Sequence, residues 1–439
     1  MALCGSSDNL LFDNETRLFV QAAFYRFRHN FEQIHAHLAA TICVFSTVTN
    51  LMHIMVLSRP SMRHSSVNCI LTLVAFCDLG TMCSYLTYLF YFILLPQQPC
   101  QTGQSYQWMV FAIVHVFLSV YLHSASLWLV VLLAFVRLMT LRQRSLYSKW
   151  KDASRALKFC LPLLVTTLAL SLPNLPLQKI MTEQRPANSC QSYDGGKEFV
   201  NYYYVYLSEE ARANGCYLLK ADLMIVGLAF KLIPCLLLGI ASVQLLNKVH
   251  QRQVIRKSLY RSRQLVLCDL PTGSKSKALF PLPSHKPDRT TVMLIIILLI
   301  FLVTELPQGV LAVASSIFTE EVYFYIYGGI ADVLDLLSLI NSSINFLLYC
   351  LLSSSYRQAF METFFCRQRA KDPGRSTLNG SKLKSSNPSP AQSIRSKTPL
   401  NSTPLLSASM NFGWEQLEKF APRCSRSLLS PSAPARHYL

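Results

Sequence analysis

The sequence predicts an all-α membrane protein: a seven-transmembrane helix bundle followed by a short amphipathic eighth helix. Three observations carry that expectation. The 439 residues are 51% hydrophobic and only 15% charged, too apolar for an ordinary soluble domain. Seven apolar segments are long enough to cross a bilayer, which takes about 20 residues of helix. The basic residues behind the formal charge of +18 cluster between and after these segments, as orienting residues of a membrane protein do, which disfavours a nucleic-acid surface.

The segments lie near Ile34 to Leu57, Val67 to Leu95, Trp108 to Met139, Leu157 to Leu177, Leu218 to Val249, Thr290 to Phe318 and Tyr323 to Leu352. Four regions follow: an extracellular N-terminus over 1–33, the bundle over 34–352, an interfacial helix over 353–366 and a disordered cytoplasmic tail over 367–439. The first thirty-odd residues hold no short apolar core followed by a small-residue cleavage site, so the first helix is expected to serve as its own targeting signal. Arg59 and Arg63, the group from Arg142 to Arg155, and the group from Arg252 to Arg263 follow helices one, three and five. Those sides are expected to be cytoplasmic. An odd number of spans then places the N-terminus outside and the C-terminus inside, in a plasma membrane.

Asn14, in Asn14-Glu15-Thr16, becomes an available glycosylation acceptor. The triplets at Asn341, Asn379 and Asn401 fall in a membrane helix or the cytoplasm and are set aside. In SSSYRQAFMETFFC, Tyr356, Phe360, Phe364 and Phe365 recur at helical spacing beside Arg357 and Arg367, the pattern of a helix lying on a leaflet. Cys366 at its end is a candidate for palmitoylation. The Ser-, Pro- and Lys-rich residues beyond cannot bury enough apolar surface to fold alone. Many of the fourteen cysteines lie in apolar runs and read as small buried hydrophobes; on the expected outer side, only Cys4, Cys100, Cys190 and Cys216 do not.

An ionisable group in the bilayer is costly unless it faces a partner, water or the bundle interior. On the seventh helix Asp332, Asp335, Ser338, Asn341, Ser342, Asn345 and Tyr349 form one stripe at three- and four-residue spacing. His115, Ser119, His123, Ser126 and Arg137 form another on the third. Glu305 and Gln308 are one turn apart on the sixth. Facing stripes describe a polar channel open outward at Asp332 and His115 and ending inward at Arg137. Asp78, at the depth of Asn50, Ser126, Asn341 and Asn345, offers one carboxylate among neutral oxygens, which suits Na⁺ or a proton; inert interhelical hydrogen bonding is the alternative, as it is for His115 alone. No other cofactor or metal is expected. Pro234 and Pro307 mark kinks, and the second, beside Glu305, makes a hinge that senses the cavity.

These motifs resemble those of the rhodopsin-like (class A) G-protein-coupled receptors across all seven helices. Asn341 to Tyr349 is similar to the family's NSxxNPxxY signature with Phe346 in place of proline. Ala134-Phe135-Val136-Arg137-Leu138 is a degenerate Asp-Arg-Tyr motif that keeps only the arginine. Asn50, Asp78, Pro234 and Pro307 fill landmark positions. TELPQG, FKLIPC, which contains Lys231, and NSSINFLLYC resemble the invertebrate myosuppressin, FMRFamide-like and sex-peptide receptor group. The resemblance implies a ligand site of Glu305, Gln308, His115, Ser119, His123, Lys231, Asp332 and Asp335. It also implies a coupling apparatus of Arg137, Tyr349, Asn50, Pro234 and Pro307. The usual cysteine of helix three is absent, Ala112 lying near its place; Cys100 is the nearest substitute for pairing with Cys190, and Cys216 is a rival partner.

The implied function is reception of an extracellular neuropeptide, an arginine near its amidated C-terminus meeting Asp332, Asp335 and Glu305. Implied partners are a heterotrimeric G protein and, through a phosphorylated tail, arrestin. A chemoreceptor of the same fold for an odorant or metabolite is the alternative. Helix three has no acid between Trp108 and Met139, against a biogenic amine, and helix seven has no lysine for retinal. A transporter predicts internal symmetry that the sequence lacks. An enzyme is not expected, since His115 and His123 have no third ligand nearby.

Overall fold

The structure, a computed structural model, describes residues 4, 11–95, 105–142, 152–186, 199–268 and 289–365. The first helix, α1 (Asn14–Leu57), begins well before the apolar segment at Ile34 that crosses the membrane. Asp13 caps it, accepting a bond from the Thr16 amide at 3.4 Å, and hydrogen bonds from Thr16 hold the Asp13 carboxyl below its usual range. Next come α2 (Ser66–Leu89), continued by a π-helical turn over Phe90–Leu94, α3 (Tyr106–Arg142) and α4 (Ala153–Ser171). After a 3₁₀ segment, Leu172–Leu177, the chain forms a hairpin of β1 (Gln178–Pro186) and β2 (Phe199–Leu207).

The fifth helix, α5, has three pieces: Glu209–Met224, a π-helical stretch Ile225–Leu232, and Ile233–Cys268. Helix α6 is Arg289–Ile317, and α7 joins a π-helical segment, Thr319–Tyr327, to Gly328–Leu352. Last is α8 (Ser354–Phe364). Seven of the described helices, α1 to α7, are long and apolar enough to cross a membrane. The chain is therefore a multi-pass membrane protein with a seven-helix bundle.

Helix α1 packs on α2 and α7, α3 lies against α2, α4 and α5, and α6 closes the ring between α5 and α7. Ala39, Cys43, Met82, Tyr85, Leu336 and Leu339 bury one core between α1, α2 and α7. Leu161 and Val165 on α4 and Leu236 and Ile240 on α5 are exposed, as apolar rows facing hydrocarbon should be.

The hairpin was not foreseen in the sequence. Its strands pair antiparallel from Gln178↔Leu207 to Pro186↔Phe199. Tyrosines at 202, 204 and 206 line one face with ring centroids 6.2 and 6.5 Å apart, the first pair tilted and the second edge-on, while Tyr203 meets Tyr106 of α3 from the other. A run of aromatic and β-branched residues is a strand signal, overlooked because it lies between two long apolar helices.

Candidate functional site

At mid-bundle, Glu305 of α6 is fully buried. Its Oε2 accepts from Lys231 Nζ of α5 at 2.7 Å, its Oε1 from Asn341 Nδ2 of α7 at 3.0 Å, and His123 Nε2 of α3 lies 3.2 Å from both oxygens. Gln308 extends the group: its Oε1 accepts from Lys231 at 2.8 Å and from Ser338 at 3.3 Å. Four helices meet on one carboxylate. A buried charge is tolerable only with a counter-charge and satisfied lone pairs, and Glu305 has both. The sequence offers Glu305 a ligand cation or His123 as partner; the structure gives it His123, and adds Lys231, which the sequence did not pair with it.

Lys231 reaches Glu305 because α5 is locally distorted. Pro234 has no N–H, so the π-helical stretch before it leaves the Ala229 carbonyl without its fifth-residue donor. Trp128 of α3 supplies one, its Nε1 donating to that carbonyl at 3.1 Å. Close approach of α5 and α6 depends on two glycines. A Cβ at Gly227 would lie 2.7 Å from Val313 Cγ2 and 2.9 Å from the Val313 backbone nitrogen, and one at Gly309 2.9 Å from Leu232 Cδ2.

Below this hub, toward the end that carries Arg137, Asp78 accepts from Ser126 Oγ at 2.9 Å and from Asn345 Nδ2 at 3.1 Å. Ser342 is a further neighbour. Asn50 ties α1 to α7 by donating to the Ser342 carbonyl at 3.4 Å, and its Oδ1 is buried without a partner. The sequence reading grouped Asn341 with Asp78; the structure turns it to Glu305, because a helix step from 341 to 345 also changes depth by a full turn. Arg137 lies beside Tyr349, between the buried side chains of Val136 and Leu138.

Above the hub, at the end that carries the hairpin, the stripe opens. Asp335 Oδ2 accepts from Tyr85 OH at 3.0 Å, and that hydroxyl lies 3.4 Å from His35 Nε2. His35 Nδ1 is 3.8 Å from Asp332. Asp335 is exposed, yet its ionisable neighbours are His35 of α1, Asp332 and Lys231 of α5. An exposed carboxylate felt from both sides of a bundle borders an open space between the helices. His115 lines the same side: its Nδ1 is 3.2 Å from Ser84 Oγ and 3.5 Å from Ser119 Oγ, and Tyr88 stacks on its ring at 4.9 Å.

The hairpin end is tied together by a disulfide between Cys4 and Cys216, which corrects the idea of Cys216 as a partner for Cys190. Cys100, Cys190 and Cys366 lie outside the described residues. Glu320 Oε1 accepts from the Cys4 amide at 2.8 Å and Glu321 Oε2 from the Phe12 amide at 3.1 Å. The left-handed φ values at Asn214, Gly215 and Cys216 (50°, 68° and 62°) form a kink in α5 that presents Cys216 to Cys4. Asn14 is exposed, and its Oδ1 accepts from Arg17 at 2.9 Å. Tyr356, read as part of a leaflet-facing row, is instead fully buried. The sequence sets Cys4 apart but gives it no partner, and it does not point to His35, Tyr85 or Trp128; for the last two the available signal is that an indole or phenol in a membrane helix needs a polar partner.

A family model described as "Serpentine type 7TM GPCR chemoreceptor Srw" matches residues 37–367. The chain is 33% identical over 362 residues to "G-protein coupled receptor dmsr-1" of Caenorhabditis elegans, covering 79% of this chain and 70% of that protein. It is 22% identical over 334 residues to "Sex peptide receptor" of Drosophila melanogaster, covering 75% of this chain and 72% of the relative. With the seven-helix bundle in place, these matches settle the family: the chain belongs to the serpentine seven-transmembrane G-protein-coupled receptors of the Srw type.

Proposed function

We propose that this receptor detects an extracellular neuropeptide, RFamide-like in carrying an arginine near an amidated C-terminus, and couples it to a heterotrimeric G protein. The observation that carries the reading is Asp335, exposed inside the bundle beside Asp332, whereas the acid below them is already matched by Lys231. The open part of the site thus sets two carboxyl groups beside His35, with Lys231 held below in its pair with Glu305. A guanidinium satisfies such a pair. Amidation removes the terminal carboxylate that the same pair would repel. A relative named as a peptide receptor agrees with this class of ligand.

On binding, the ligand cation takes up Asp335 and weakens its pull on Lys231 across the space. The hub of Lys231, Glu305, His123 and Asn341 then resettles, and α6 swings about Pro307. The swing frees Arg137 and the cytoplasmic ends for the G protein, in a receptor placed in the plasma membrane with its N-terminus outside. A cation or proton at Asp78 favours one bundle state. The residues suit Na⁺, with Ser126 and Ser342 as neutral oxygens beside one carboxylate. Asn14 carries a glycan, Cys366 a palmitoyl chain, and the phosphorylated tail binds arrestin.

The family model's description as a chemoreceptor favours a second reading, a small odorant or metabolite. One experiment separates them. The full chain, expressed with a promiscuous G-protein reporter, is challenged with amidated peptides, their free-acid forms and a panel of small amines and acids. Activation by amidated, arginine-containing peptides, weakened by conversion to the free acid, supports the peptide reading; activation by the small molecules alone overturns it.

A further inference from the structure

Asp222 of α5 lies toward the hairpin end from Lys231 and is 4% exposed. Asn174, in the 3₁₀ segment that follows α4, donates from Nδ2 to its Oδ2 at 3.2 Å. Among the described residues no lysine, arginine or histidine pairs with this acid. Its neighbours along α5, Leu219 and Leu223, belong to a buried apolar cluster against which Tyr323 and Phe324 of α7 pack.

Tyr323 connects Asp222 to the open part of the site. Asp222 is the ionisable neighbour of the Tyr323 phenol. The rings of Tyr323 and Tyr327 stack at 5.7 Å, and the ionisable neighbours of Tyr327 are Asp335 and Tyr323. A stacked pair of part-exposed tyrosines thus has a carboxyl group at either end, one from α5 and one from α7.

The bond from Asn174 does not account for an acid at this position. Asparagine or serine would accept it without bringing an ionisable group into a membrane span, where a carboxylate is costly unless it meets a cation. Lys231 and Glu305 show how the bundle settles such a charge when the chain supplies the partner. At Asp222 the described chain supplies none, which leaves the partner to come from outside.

We infer that Asp222 is a second cation subsite of the ligand cavity: the receptor selects ligands with two positive groups, one at Asp335 and one at Asp222, joined by a stretch that lies along Tyr323 and Tyr327. A guanidinium suits Asp222, since its fork of donors can serve the carboxylate and an amide oxygen together. The inference deepens the peptide reading and rests on Asp335 as a ligand acceptor.

Two arms test it on the full chain. In cells carrying the promiscuous G-protein reporter, amidated peptides with one arginine near the C-terminus are compared with versions that carry a second arginine, or a glutamine, at successive upstream positions. At the spacing that reaches Asp222 the second arginine should improve potency over glutamine about tenfold, the worth of a hydrogen bond to a charged group. In Asp222→Asn the ratio should fall to near one. Should that variant not reach the cell surface, Asp222→Ser makes the same comparison. In the second arm the purified receptor in detergent is heated with bis-guanidinoalkanes of increasing chain length and with their mono-guanidine counterparts. A bis compound should raise Tm more than its counterpart, and the difference should vanish in Asp222→Asn and in Asp335→Asn. Absence of any gain in both arms overturns the inference, as does a gain in either arm that survives Asp222→Asn. Failure of every amidated peptide to activate the receptor, beside a bis-guanidine gain that needs both acids, strikes the peptide reading and leaves the subsite standing.

Discussion

Lys231 Nζ sits 2.7 Å from Glu305 Oε2, and neither side chain is more than 12% exposed. A pair so buried contributes little net stability, but breaking it leaves one charge stranded. Lys231→Ala is therefore expected to destabilise the receptor by about 3–5 kcal/mol, read as a lowered Tm of the purified protein in detergent. Adding Glu305→Gln to that variant should recover most of the loss. A double variant no more stable than Lys231→Ala counts against the pair.

At the open end of the site the expected effect is on potency. Asp335→Asn keeps the shape and the Tyr85 contact but removes the charge. A cationic peptide should lose about 10- to 100-fold in potency, the worth of a hydrogen bond to a charged group. The same peptide with its arginine replaced by glutamine should be nearly indifferent to the substitution. Concentration–response curves for the four combinations decide the matter, and equal losses for both peptides reject a direct charge contact.

Gly227 is expected to tolerate no side chain. In Gly227→Ala the new methyl would meet the Val313 backbone nitrogen at 2.9 Å, so α5 and α6 must separate, at about 1–3 kcal/mol. Val313→Ala removes the side-chain clash at 2.7 Å but not the backbone one. The double variant should accordingly recover only part of the lost Tm, and full recovery would show that the backbones are not in contact.

Trp128→Phe deletes one N–H and leaves the Ala229 carbonyl without its donor, for about 1–3 kcal/mol. Pro234→Ala should blunt this loss, because residue 234 would then have its own N–H to offer. Thermal unfolding of the two single variants and the double gives the coupling; simple additivity would mean that the proline and the indole act independently.

Peptide mapping without reduction should recover residues 4 and 216 in one cross-linked fragment. Cys4→Ser and Cys216→Ser should lower thermal stability equally, and together no further than either alone. Unequal losses would show that one of the cysteines has another partner.

The seven spans and the polar stripes were legible because both depend on helical periodicity, which survives without tertiary information. Asp335, Glu305 and Asp78 could be placed inward on that basis alone. Their partners could not. The π-helical stretch at Ile225–Leu232 shifts the phase of α5, so counting by 3.6 residues cannot say that Lys231 faces Glu305. Asn341 was assigned to the wrong acid because two carboxylates a turn apart compete for one stripe, and only the relative heights of α2, α6 and α7 decide between them. The disulfide escaped for a related reason: Cys4 and Cys216 are 212 residues apart, and nothing local joins them.

Helix α1 runs unbroken for 44 residues, about 66 Å at 1.5 Å per residue, whereas the hydrocarbon layer is only about 30 Å thick. Its first turns therefore stand clear of the lipid as a stiff post, braced where Phe24 leaves no room for a side chain on Gly329. On the peptide reading proposed above, that post would stand beside the way in to Asp335 and serve as a fixed rail, aligning an extended chain before its charged end meets the acid.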